Sequence, residues 1–297
     1  MKNILIAGGS GLVGKQLSNL LLKNGYEVAW LSRSNNQSQS FPTYKWNPET
    51  GVIDPEAIAF ADVIIVLSGE NIAAERWTDK FKKKIIDSRI QVASTISNAL
   101  KNHPNHVSHV IAASAIGYYG DRNDETLDEN SARGDGFLAE TTQQWERAYS
   151  SFDIPVASIR IGVVLSKNGG ALYEMSLPVK WGIASPLGNG QQFISWIHID
   201  DLAGIFMHVI QNQLTGIYNA VATNPVINKE FTRQLKHSLC KNAISIPTPS
   251  WAMKILLGEK SAIVLDSSRV SNKKIINSGF TFKFELLEQA LKNFYGK

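Results

Sequence analysis

Gly8, Gly9, Gly11 and Gly14 satisfy two glycine fingerprints at once, Gly9-x-Gly11-x-x-Gly14 and Gly8-x-x-Gly11-x-x-Gly14. Glycines at this spacing let a backbone turn tightly and come close to a pyrophosphate. The free amides around Ser10, Leu12 and Val13, at the start of a following helix, would hold its charge. A glycine pattern alone is weak, so its setting matters. Residues 3–7 form an apolar strand pattern, and Leu12, Val13, Leu17, Leu20 and Leu21 follow at helical spacing before Asn24-Gly25. Strand, glycine turn and helix in this order bind a dinucleotide.

The next apolar run, Val28 to Leu31, ends in Ser32-Arg33-Ser34. A fold that prefers NAD places an Asp or Glu there to accept from the ribose 2′-hydroxyl. No acid stands at that point, because Glu27 lies at the opposite end of the strand. Arg33 can instead pair with a 2′-phosphate, helped by the two neighbouring hydroxyls of Ser32 and Ser34. The expected cofactor is therefore NADP(H).

These residues need a scaffold, and the chain alternates strand and helix patterns through its first two-thirds. Strands are expected at 3–7, 27–31, 62–67, 107–113, 155–160 and 217–220. Helices are expected near 11–23, 54–60, 75–101, 134–150, 200–211 and 228–239. Such alternation predicts an α/β Rossmann fold, a doubly wound parallel sheet with helices on both faces. Residues 1–165, completed by 196–222, would form the NADP-binding domain. Residues 166–195 and 223–297, with a glycine- and aromatic-rich first part and short amphipathic pieces later, would form a smaller C-terminal α+β substrate lobe. Asn35 to Ser40 reads as a short polar loop.

Composition sets outer bounds. The 297 residues are 43% hydrophobic with mixed charge, which suits a globular protein. No apolar run is long enough to span a membrane, and a core strand beginning by residue 4 leaves no room for a cleavable signal. One cysteine, Cys240, excludes an internal disulfide and fits a reducing cytoplasm. No histidine or acidic cluster has metal-ligand spacing. The net charge of +4 is mild. Its densest run, Lys80 to Lys84, carries Phe81, Ile85 and Ile86 on a helical inner face, so the lysines read as a solvated helix surface and not a nucleic-acid site.

Many segments together resemble an atypical, "epimerase family" branch of the extended short-chain dehydrogenase/reductases, with a C-terminal domain of unknown function. They include Gly8 to Gly14, Trp46-Asn47-Pro48, Leu67-Ser68-Gly69-Glu70-Asn71-Ile72, Arg76-Trp77-Thr78, Asp87-Ser88-Arg89 and Ser114 to Gly120. Gly136 to Glu140, Trp145-Glu146, Arg160 to Leu165, Ser195 to Asp201, Leu257-Gly258-Glu259 and Ser278-Gly279-Phe280 extend it along almost the whole chain. The resemblance implies that Leu67, Ser68, Gly69 and Glu70, in the loop after the 62–67 strand, and Ile161 also border the cofactor.

Dehydrogenases of this type work with a tyrosine as acid/base and a lysine four residues later that lowers its pKa and holds the ribose. None of the eight tyrosines here has a lysine at that spacing. The helix expected to carry the pair offers Phe137 and Thr141, and Arg89 stands where a helix asparagine is expected. The remaining candidates are Ser114, at the end of a central strand, Tyr118 in the loop beyond it, and Arg89. Aligning on Tyr119-Gly120 puts Ala115 at the serine position instead, so both registers remain open. Arg122 is close enough in sequence to act on a tyrosine. Glu70 could pair with Arg76 or Arg89. Asp200 or Asp201 is expected to cap a helix, His198 to be structural, and Gln191, Gln192, Ser195 and Trp196 to line a pocket.

Two functions fit this pattern. One is an NADP(H)-dependent oxidoreductase or epimerase-like enzyme acting on an unknown small molecule. The other is a non-catalytic NADP(H)-binding sensor. Either would work as a monomer or homodimer, without nucleic acid or membrane.

Overall fold

Side chains of the first strand, β1 (Asn3–Ala7), alternate between two apolar layers, with Ile4 and Ile6 in one core and Leu5 and Ala7 in the other. A strand buried on both faces belongs in the middle of a parallel sheet. A computed structural model of the chain describes residues 2–34 and 41–296, and Asn35 to Ser40 lie outside them. The strands are β1, β2 (Glu27–Ser32), β3 (Thr43–Asn47), β4 (Val52–Ile53), β5 (Val63–Val66), β6 (His109–Ala115), β7 (Val156–Ile161) and β8 (Gly216–Ala220). They join in the order β8-β7-β6-β5-β1-β2-β3-β4, parallel throughout except for β4 against β3. The fold is an α/β, Rossmann-like one.

Helices α1 (Leu12–Lys23) and α6 (Ile199–Asn212) cover one face, and α2 (Pro55–Phe60), α3 (Asp79–Asn102) and α4 (Phe137–Ala148) cover the other. The order of strands reverses between β1 and β5. The loops after these two strands therefore leave in opposite directions and open a crevice at their carboxyl ends, where ligands bind in sheets of this kind.

Helix boundaries follow local chemistry. Helix α3 begins at Asp79, not at 75, because the Thr78 hydroxyl accepts from the Phe81 amide at 3.2 Å. Upstream of it, the Trp77 indole donates to the Ile72 carbonyl and holds 71–78 as a turn. Strands β3 and β4 were not expected. Trp46 of β3 is buried, and its alternation with exposed Lys45 was the available signal.

A third core gathers Leu172 and Val179 of α5 (Gly170–Lys180), Phe231 and Leu235 of α7 (Asn228–Leu239), and Leu287 and Leu291 of α9 (Leu287–Tyr295) around Trp196. Helix α5 lies inside the 166–195 stretch that showed no clear helical pattern. Two turn-forming glycines open it, and Pro178 stands within it. Between α7 and α9 lies α8 (Ser250–Leu257), none of whose side chains is fully buried. The segment around α8 is tied to the 70–82 region. Arg76 donates to the Ile255 carbonyl at 3.2 Å, Lys260 donates to the Ala73 carbonyl at 3.1 Å, and Lys82 pairs with Glu259.

The cap of α6 is His198, not Asp200 or Asp201. Its Nδ1 accepts from the Asp200 amide at 3.1 Å, which leaves the proton on Nε2, beside Asn293 Oδ1 at 3.2 Å. The ring is stacked between Phe284 and Phe294, at 3.9 and 4.4 Å. Asp201 is buried and accepts from the amides of Lys283 and Phe284, so it anchors the C-terminal segment. Burial lowers the pKa of His198, against a smaller opposing pull from Asp200.

This geometry fixes a sign. A histidine whose folded pKa lies below its unfolded value of about 6.5 costs nothing above that pH, and destabilises the fold as pH falls through it. Stability should therefore decline below pH ~6.5. His198→Asn keeps a cap acceptor without the titration, so its urea midpoint should depend less steeply on pH between about 5 and 7. Equal slopes for the two proteins would remove His198 as a source of acid sensitivity.

Candidate functional site

The loop after β1 is built by close approach. Gly8 has φ of 90°, and a Cβ at Gly14 would stand 2.3 Å from the Gly8 carbonyl oxygen. A Cβ at Gly9 would fall 2.2 Å from the indole of Trp30, whose Nε1 donates to Ser18 of α1. Both fingerprints are thus used, one glycine for packing against α1 and another for packing under a β2 tryptophan. Gly11 caps α1 without a side-chain hydrogen bond, and no acid stands in the first turn. The first amides of α1 are therefore free to face an anion.

A cavity of about 950 Å³ opens beside this loop. Gly8, Ser10 and Gly11 line it, as do Arg33 and Ser34 beyond β2 and Leu67 to Asn71 beyond β5. Leu31 and Trp46 form apolar wall, and α3 contributes Lys80, Lys83, Lys84, Asp87, Ser88 and Gln91. Glycine cradle, uncapped helix start, apolar wall and exposed arginine suit the adenosine diphosphate part of a dinucleotide. Leu12 and Val13 begin α1 just behind the loop, with Val13 packed on the core and Leu12 near Gly170. Ile161 ends β7, level with Ala115 of β6 and Ala220 of β8.

Glu70 differs from expectation. Its carboxylate lies 3.1 Å from Lys84, not on Arg76 or Arg89, because α3 turns its lysine face toward this loop. Only the Glu70 backbone meets Arg89, whose Nη2 donates to the carbonyl at 3.2 Å. The lysine run is likewise more than a solvated surface, since three of its members line the cavity.

Arg89 is buried between α3 and α4. Its guanidinium lies 4.8 Å from the Trp145 ring, Nη1 donates to Ile85, and no carboxylate comes within ion-pair distance among the described residues. Burial lowers its pKa to about 10, so it stays charged at neutral pH. Where a Tyr and Lys were sought, Phe137 packs edge-on against Trp77 at 4.9 Å, with the Lys82 ammonium 5.5 Å from its ring. One turn on, the buried Thr141 hydroxyl has no hydrogen-bond partner among the described residues.

At the carboxyl end of β6 a buried polar network replaces the open hydroxyl expected of Ser114. Ser114 is 2% exposed and donates to Glu146 Oε1 at 2.6 Å. Arg160, also 2% exposed, meets the same carboxylate with two hydrogen bonds of 2.8 Å. It also donates to the Tyr119 hydroxyl at 3.0 Å and stacks on the Tyr118 ring at 3.6 Å. Tyr119 in turn donates to Asn219 of β8 at 2.8 Å.

Burial would lower the Arg160 pKa, but the Glu146 contacts and Tyr119 outweigh it and the pKa rises. Burial pushes Tyr119 up to about 12, against the opposing pull of Arg160. Tyr119 therefore stays protonated at neutral pH, while Tyr118 is half-buried and has no hydrogen-bond partner for its hydroxyl among the described residues. The cation beside the tyrosine pair is thus Arg160. Arg122 is engaged with Glu125 three residues away. The sequence signal for Arg160 was a lone arginine inside an apolar strand.

Gln192 donates to the Leu187 and Val264 carbonyls, Ser195 to Ser268, and Trp196 to Asn224. These three are engaged by backbone carbonyls and do not line the large cavity. No helix among the described residues is long and apolar enough to cross a membrane.

Residues 4–220 match the model of the NAD dependent epimerase/dehydratase family. The chain belongs to that family. Residues 248–294 match a domain of unknown function. The chain is 33% identical over 300 residues to an Arabidopsis thaliana chloroplastic homolog of epimerase family protein SDR39U1, covering 97% of this chain and 85% of that one. It is 34% identical over 299 residues to epimerase family protein YfhF of Bacillus subtilis, covering 97% and 96%. Among solved structures, human SDR39U1 with NADPH superposes with a TM-score of 0.88 at 30% identity, covering 99% of both chains. The fold of this epimerase family member thus extends through its C-terminal segment.

Removing one partner of the buried pair leaves an uncompensated charge. Glu146→Ala should cost about 3–5 kcal/mol in urea unfolding. The paired change Glu146→Leu with Arg160→Met should recover part of that loss. A single variant as stable as the parent would show that Arg160 finds another partner.

Proposed function

We propose that this chain binds NADP(H) and acts as a short-chain dehydrogenase- or epimerase-like oxidoreductase on a small molecule. The observation that carries the cofactor reading is Arg33, with Ser34, on the cavity that holds the glycine cradle. No acid stands at the end of β2 to receive a 2′-hydroxyl, and a guanidinium pairs readily with a 2′-phosphate. The NADPH named for the human relative supports the same choice. Ser10, Gly11, Leu12 and Val13 would face the pyrophosphate, and Leu67 to Glu70 with Ile161 would border the remainder. Bound there, the nicotinamide would supply or accept the hydride.

On the protein side, Tyr118, in the turn directly after β6, carries a hydroxyl with no hydrogen-bond partner among the described residues. Arg160 stacks on its ring, and Glu146 and Ser114 fix Arg160, so Ser114 would act as a positioning residue. Arg89 would add a fixed positive charge below the Ser68-Gly69 loop, since its guanidinium carbon lies 3.3 Å from where a Gly69 side chain would begin. A reducing compartment such as the cytoplasm fits the single half-buried Cys240.

A second reading has its own support. Phe137 and Thr141 hold the positions of the usual acid/base and its lysine, and Phe137 is occupied by Trp77. A protein that binds NADP(H) and signals its redox state needs no proton donor there.

Titration with NADPH and NADH tests the cofactor. The parent should bind NADPH more tightly, and Arg33→Ala should weaken NADPH about 10-fold or more while leaving NADH unchanged. Equal parent affinities would overturn the assignment. Chemistry is tested by NADPH oxidation against a panel of carbonyl compounds, including quinones. Tyr118→Phe should lower turnover by about 100-fold or more, the scale of a lost acid/base group, and Ser114→Ala by less. NADPH binding without turnover of any compound would favour the sensor.

A further inference from the structure

The large cavity has a second charged wall besides Arg33. Helix α3 presents Lys80, Lys83 and Lys84 to it, but these three are not equivalent. Lys83 lies 2.8 Å from Asp87, and Lys84 lies 3.1 Å from Glu70. Lys80 and Arg33 have no carboxylate within ion-pair distance among the described residues. Glu49 is the remaining cavity carboxylate outside those two pairs, which leaves two cations facing one anion across an otherwise balanced cavity.

Helix physics does not explain Lys80. It is the second residue of α3, where the partial positive charge of the helix start disfavours an ammonium. Asp79 beside it points to a different part of the helix surface, because adjacent residues on a helix do not face each other. An exposed lysine at this position gains nothing from its own helix, and its long stem can carry the charge into the cavity.

A ribose 2′-phosphate is a phosphomonoester with a charge of about −1.5 to −2 at neutral pH. One guanidinium neutralises only part of it. We infer that Lys80 is the second cation of the 2′-phosphate subsite, with Arg33 supplying the planar fork from the β2 side and Lys80 a point charge from the α3 side. The inference rests on the NADP(H) reading above. Lys80 thus becomes a specificity residue, contributing to NADPH affinity and not to NADH affinity.

Equilibrium titration of the full chain with NADPH, NADH, 2′,5′-ADP and 5′-ADP tests this. Lys80→Met keeps the aliphatic stem and removes the charge. It should weaken NADPH and 2′,5′-ADP about 5- to 15-fold, the scale of one charge-assisted contact, and leave NADH and 5′-ADP unchanged. Lys101→Met, on the same helix but outside the cavity, should change all four by less than about 2-fold. Unchanged 2′,5′-ADP affinity in Lys80→Met, or equal losses for NADPH and NADH, would overturn the role of Lys80. If Arg33→Ala still erased the preference for NADPH in that case, the cofactor reading would stand without Lys80. A parent protein with no preference for NADPH would remove both.

Discussion

A guanidinium buried in the parallel sheet must be answered, and the way Arg160 is answered organises the carboxyl ends of β6, β7 and β8. Left alone, such a charge would cost far more than the fold can spare. Glu146 reaches it from α4, Tyr119 from the segment after β6, and Asn219 continues the chain of hydrogen bonds into β8. Three strands and one helix are thereby held together near the carboxyl ends of the strands. Ser114 joins the same network by donating to Glu146. Its hydroxyl is then committed to the protein, while the Tyr118 hydroxyl has no hydrogen-bond partner among the described residues.

The cofactor end depends on a different constraint, the closeness of backbone to backbone. Gly14 meets the Gly8 carbonyl, and Gly9 meets the Trp30 indole, so the loop cannot move outward without losing packing on both sides. A loop pinned in this way keeps its amides aimed into the crevice before any ligand arrives, which lowers the ordering cost of binding. The opposite wall is electrostatic. The lysine face of α3 balances the loop carboxylate of Glu70 and the helix carboxylate of Asp87, and leaves Arg33 and Lys80 over. The C-terminal segment closes the arrangement from outside by gripping the carbonyls of Ala73 and the side chains of Arg76 and Lys82.

Much of this was legible in the chain. The six expected strands and six expected helices all exist near their expected places, because each carries a strong period of two or 3.6 or a continuous apolar run. Helix α5 carries no legible period, since Pro178 and paired glycines mask it. Strands β3 and β4 lack one because a short edge pair has little apolar pattern to display. Residue preference points to an aspartate as the α6 cap, whereas Nδ1 of His198 holds that place. Propensity describes what a residue does most often, and stacking between two phenylalanines decided what this one does.

The sequence by itself determined the strand-turn-helix with its glycine turn and uncapped helix start, the arginine after β2 and the absence of a Tyr–Lys pair. All three depend on residues adjacent in the chain or on one helix turn, where spacing dictates geometry. Only the tertiary structure decided which arginine stands beside Tyr118, which carboxylate takes the Ser114 hydroxyl and which lysines line the large cavity. Glu146 and Arg160 are 14 residues apart, and Tyr119 and Asn219 are 100 apart. Such pairs meet only because the sheet brings separate strand ends to one edge, and no local period encodes that meeting.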